Sequence, residues 1–147
     1  MTGKDLNQEL NELICSFQDQ GILDDYFDEL KGLQDEESPQ FVTETITTYL
    51  GGADNTIAEL TTNLSEPAVD YSMVTYLADK LKGSSLSVGG SRMANVCAEL
   101  CDASEENECD VFRCLARFEV VNREFLTLQE SLNKIVQLEQ AIYDNKE

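Results

Sequence analysis

The feature that most constrains the fold is one long apolar run near the C-terminus. Val111, Leu115, Phe118, Val121, Phe125, Leu128, Leu132, Ile135 and Ile142 keep near-heptad spacing. About 30 residues of such spacing make on the order of 45 Å of helix with a single apolar seam, which other helices must cover. The rest of the chain can supply them. Ile46, Leu50, Ala53, Ile57, Leu60 and Leu64 repeat at alternating steps of four and three, and Val74, Leu77, Leu81 and Val88 form another stripe. Ala94, Val96, Cys97 and Leu100 form a further one. Two shorter patterns precede these: Leu6, Leu10, Leu13, Ile14 and Phe17, then Tyr26, Phe27 and Leu30.

Punctuation between the stripes sets the helix boundaries. Gly21 suits a left-handed helix end, and Asp24 or Asp25 can cap the short second helix. Ser38-Pro39 reads as a helix start, since proline at the first helical position loses nothing by lacking its N–H. Glu66-Pro67 stops that helix, Asp70 caps the next, Gly89-Gly90 ends it and Ser91 caps the fifth. Gly51-Gly52 falls inside the third pattern at a cost of about 1 kcal/mol each, which still reads as one helix with room for a bend. The expected helices lie near 4–20, 24–33, 39–64, 71–88, 91–105 and 110–143, in one domain over 1–147. This is an all-α protein, an antiparallel four-helix bundle with two additional N-terminal helices packed on one end. Four separately capped segments argue against a lone coiled coil, and stripes that can satisfy one another predict a monomer.

Composition narrows function. The 147 residues contain no histidine, and 10 basic residues against 29 acidic ones give a net charge of −19. A Ser-His-Asp triad, a Cys-His pair or a His-bearing zinc site is therefore unavailable, and no metal or cofactor is expected. So acidic a surface offers nucleic-acid phosphates nothing to neutralise. No apolar run approaches the roughly 18 residues of a membrane span, so neither membrane nor nucleic acid is an expected partner. Five cysteines, at 15, 97, 101, 109 and 114, are odd in number and lack the spacing of a secreted scaffold. They read as small buried hydrophobes of an intracellular protein, and the small size permits both cytoplasm and nucleus.

One region has a different chemistry. From Tyr71 to Ala98 there is a single acid, Asp79, although 29 acids spread over 147 residues would place about five or six there. Lys80, Lys82 and Arg92 fall in the same window. At 100° per residue, Asp79 lies about 160° from the stripe of Leu77 and Leu81, on the outer face, where Lys82 and Gly83 join it. Gly83 is costly inside a helix, and one compensation is close approach of a partner to the backbone. Ser84, Ser85 and Ser87 keep the following turn slim. A solvated face with small residues for tight helix packing fits the same pattern.

The segment Asp79-Lys80-Leu81-Lys82-Gly83-Ser84-Ser85-Leu86-Ser87-Val88-Gly89-Gly90 resembles the signature of plant histidine-containing phosphotransfer proteins, which reads His-Gln-Leu-Lys-Gly-Ser-Ser-x-Ser-Ile-Gly-Ala. Gly21-Ile22-Leu23-Asp24, Leu33-Gln34-Asp35-Glu36, Pro39-Gln40-Phe41-Val42, Arg92-Met93-Ala94-Asn95-Val96-Cys97 and Leu138-Glu139-Gln140 fit the same family, over most of residues 20 to 142. The resemblance implies the helical bundle read above. It also places Asp79 where the family carries its phosphoaccepting histidine, and Lys80 where it carries glutamine. A carboxylate cannot form the phosphoramidate of a relay, so the chain resembles the pseudo-phosphotransfer subgroup that lacks the acceptor. That implies binding to receiver domains of hybrid histidine kinases and response regulators without transfer, and inhibition of cytokinin signalling. The receiver-binding candidates are Asp79, Lys80, Lys82, Gly83, Ser84 and Arg92, with an apolar contribution from Leu23 and Phe27, and from Ile22 and Leu30 beside them. The alternatives are a shuttle that uses Asp79 as acceptor, a shuttle disabled by an engineered His-to-Asp change, and a helical scaffold with no receiver partner.

Overall fold

A computed structural model describes residues 5–105 and 110–145, and the described residues form six helices and no strand. They are α1 (Leu6–Asp19), α2 (Tyr26–Gly32), α3 (Phe41–Leu64), α4 (Tyr71–Leu86), α5 (Ser91–Glu105) and α6 (Val111–Asp144). The long α6 packs on α3 and α5, and α4 packs on the same two helices, so α3/α5 and α4/α6 are the diagonals of a four-helix bundle. Beside it, α1 packs on α6 and α2 on α3. The expected fold class is thus found. Lys4 and Cys109 lie outside the described residues.

The core follows the helical stripes. Ile46, Leu60, Val74, Leu81, Cys97, Leu100, Val121, Leu128, Leu132 and Ile135 are all fully or nearly fully buried. Tyr49 and Thr56, absent from the apolar pattern of α3, are buried as well. In each case the hydroxyl finds a partner, Ser85 Oγ at 2.7 Å from Tyr49 Oη and Gly52 O at 3.0 Å from Thr56 Oγ1. That satisfies the condition for burying a polar tip. Tyr26 and Leu115, expected to face inward, are 44% and 41% exposed. On α6 the turn of the helix brings Cys114 inward instead, because an ideal helix drifts away from a strict heptad. Cys97, Cys101 and Cys114 are buried as expected, whereas Cys15 is exposed on α1. Burial pushes the Cys97 thiol up to about 12, which makes it inert near neutral pH.

Two helix starts differ from expectation. Ser38-Pro39 does not open α3, which begins at Phe41. The Asp35 carboxylate accepts from the Glu37 and Ser38 amides and folds that stretch into a turn. Val42 N–H, one of the orphan amides of α3, donates to Gln34 Oε1 at 2.9 Å, so a distant side chain does the capping. Ser91 is the first residue of α5 rather than its cap, and Gly90 O accepts from Ala94 N–H. Helix α3 runs unbroken through Gly51-Gly52.

Candidate functional site

Helix α4 is fixed at both ends, which determines the face it presents. At its start the Asp70 carboxylate accepts from Met73 N–H, and the Asn63 side chain clamps the Asp70 backbone through both its N–H and its carbonyl. At its end Gly89 adopts a left-handed conformation, φ 76°, while Gly90 N–H donates to Ser85 O at 2.8 Å. Only glycine takes that conformation cheaply, and a Cβ on Gly89 would stand 2.9 Å from Asp24 Oδ1. The same turn receives Asp24 N–H on Gly89 O at 2.8 Å, which ties the chain ahead of α2 beneath the α4–α5 junction. Midway, the Tyr49–Ser85 hydroxyl pair joins α3 to α4 inside the bundle.

This frame turns Asp79 and Gly83 outward, as their spacing predicts, and Lys80 with them, whereas Lys82, expected on the same face, is half-buried at its edge. The space where a Gly83 side chain would stand is open. Lys80 lies on the α3 side, at a groove of about 400 Å³ lined among others by Phe41, Thr48, Gly52 and Ser84. Ser84 is half-buried and its hydroxyl donates to Leu81 O, so it shapes that groove rather than standing free in it. Lys82 lies toward α5, where it and Asp79 both act electrostatically on the Cys101 thiol, whose pKa burial and then Asp79 raise. Among the described residues no cation stands within ion-pair distance of Asp79, and neither lysine has an acidic partner.

Five of the expected contributors do not belong to this face. Leu23 and Phe27 are 1% and 0% exposed, held inside the core by the tie between Asp24 and Gly89, so neither can meet a partner. Ile22 and Leu30 are buried with them. Arg92 is occupied elsewhere: its Nε donates to Glu124 Oε2 at 2.7 Å and its Nη1 to Gln20 O, bracing α5 against α6 and the end of α1. The apolar part of the surface comes from α4 itself. Met73, Tyr76 and Leu86 are 44%, 61% and 45% exposed, in the same outward row as Asp79, Lys80 and Gly83. The signal was present in the sequence, since these residues fall at helical intervals from Asp79 and outside the buried stripe.

The arrangement carries groups suited to recognition. It offers a carboxylate, two ammonium groups and three apolar side chains on one helix face, without an imidazole or an exposed thiol. The described residues contain no cluster of three or more Cys, Asp or Glu that could hold a metal, and no helix long and apolar enough to cross a membrane.

Comparison with known proteins places this geometry. Residues 44–142 match the Hpt domain family. The chain is 34% identical over 142 residues to histidine-containing phosphotransfer protein 1 of Oryza sativa subsp. japonica, covering 97% of this chain and 95% of the relative. It is 35% identical over 136 residues to pseudo histidine-containing phosphotransfer protein 6 of Arabidopsis thaliana, covering 92% and 87%. Among solved structures, a histidine-containing phosphotransfer protein from maize superposes with a TM-score of 0.86 at 34% identity, over 94% of this chain and 99% of that one. With similarity extending over nearly its whole length in both sequence and fold, the chain belongs to the family of histidine-containing phosphotransfer (Hpt) proteins.

Proposed function

We propose that this chain is a pseudo-phosphotransfer protein. It docks on receiver domains of hybrid histidine kinases and response regulators, transfers nothing, and so lowers the flux of a plant two-component relay such as cytokinin signalling. It acts as a monomer without a cofactor, where receivers are found in the cytoplasm and nucleus. One observation carries the reading: a chain of this family contains no histidine, and the outward position of its signature helix holds Asp79. A relay through this family needs an imidazole nitrogen to take the phosphoryl group and return it.

What is left on the face suits binding. Lys80 and Lys82 have no acidic partner among the described residues of a molecule of net charge −19, and an acidic receiver pocket would attract them. Met73, Tyr76 and Leu86 supply the apolar area on which affinity mostly depends. Immobilised receiver domains should retain the wild-type protein, and Lys82→Glu should weaken retention by about tenfold or more. A helical scaffold unrelated to receivers would show no retention, or retention indifferent to that charge reversal.

A further inference from the structure

The charge pattern around Asp79 carries more than attraction to an acidic surface. The carboxylate stands exposed on α4, with Lys80 on the α3 side and Lys82 on the α5 side. Neither ammonium closes an ion pair with it. The face thus has a negative centre between two positive flanks. Its electrostatic inverse is a cation ringed by carboxylates, the form of an acidic pocket loaded with a divalent ion. A phosphoryl group in that pocket adds about two negative charges at the centre, where they would meet the Asp79 carboxylate. Two like charges brought together in a partly desolvated interface repel strongly, and neither flanking lysine forms an ion pair with Asp79 that would neutralise it.

We propose that this face selects the cation-loaded, unphosphorylated state of its receiver partner, the Asp79 carboxylate facing the partner's divalent ion and Lys80 and Lys82 facing the carboxylates around it. The inference rests on the receiver-docking reading above. It gives Asp79 a role beyond the loss of an acceptor, because a side chain that discriminates between partner states makes the protein occupy receivers before they are charged. An active shuttle must in addition engage the phosphorylated receiver, from which it is loaded.

Isothermal titration against one isolated receiver domain tests this in three states: with Mg²⁺, with EDTA, and with Mg²⁺ plus beryllofluoride as the phosphoryl mimic. Wild-type protein should bind the Mg²⁺ form on the order of tenfold more tightly than either other form. Asp79→Asn keeps the shape of an exposed side chain and removes its charge, so it should bind all three forms within about threefold of one another. Equal binding of the three forms by the wild type overturns the inference alone, as does an Asp79→Asn variant that keeps the wild-type preference. Absence of binding in every state would remove the receiver-docking reading and this inference with it.

Discussion

Phe27 and Tyr76 separate the contacts that hold the bundle from those left for a partner. Phe27 is fully buried against the α4–α5 turn, and Tyr76 is 61% exposed on the outer face of α4. Phe27→Ala should cost about 3–5 kcal/mol of stability, a large share of what a domain of this size possesses. Tyr76→Ala should leave stability within about 0.5 kcal/mol while weakening receiver binding about tenfold. Urea titration and a binding isotherm on the same two variants check both statements. A second consequence at this scale is pH dependence. Burial raises the Cys97 thiol from 9.0 to about 12, and burial also raises the Tyr49 phenol in spite of its bond to Ser85. The unfolded chain releases these protons earlier than the folded one, so the stability tied to them is intact below about pH 9 and lost as the pH rises toward 12. Each group contributes up to about 1.4 kcal/mol per pH unit within its own window. Urea midpoints at about pH 8 and about pH 10.5 should therefore fall, with a shallower fall in Cys97→Ala.

At the scale of the helices, glycines in two settings should respond in opposite ways. Gly51 sits inside α3 with open space where a side chain would go, so Gly51→Ala should raise stability by about 1 kcal/mol. Gly89 has φ 76° and no room beside Asp24 and Phe27, so Gly89→Ala should lower it by more than about 1 kcal/mol. Thermal melts of the two variants measure the contrast. The helices themselves were legible in the sequence because each buried stripe repeats with the helical period and ends at an Asp, Gly or Pro signal. The start of α3 was not, since the group that caps Val42 belongs to Gln34 and acts across a turn that Asp35 shapes. Likewise, nothing local in the sequence says that Arg92 meets Glu124, 32 residues away, or that Asp24 is tied to Gly89 and draws Leu23 and Phe27 inward. The outward setting of Asp79 and Gly83 could be read because it depends only on the register of one helix.

Across the whole molecule, the acids exclude themselves from residues 71–98 except at Asp79, and the bundle displays part of that stretch as the open face of α4. A chain of net charge −19 without histidine thus displays an acid-poor helix face that carries two lysines. The most direct measurement follows radiolabelled phosphate from a phosphorylated receiver to an active histidine-bearing shuttle, as this chain is added in increasing excess. The expected result is a dose-dependent fall in label reaching the shuttle, with none retained on this chain. Undiminished transfer at an excess well above the shuttle's concentration, or stable label on this chain, would contradict it.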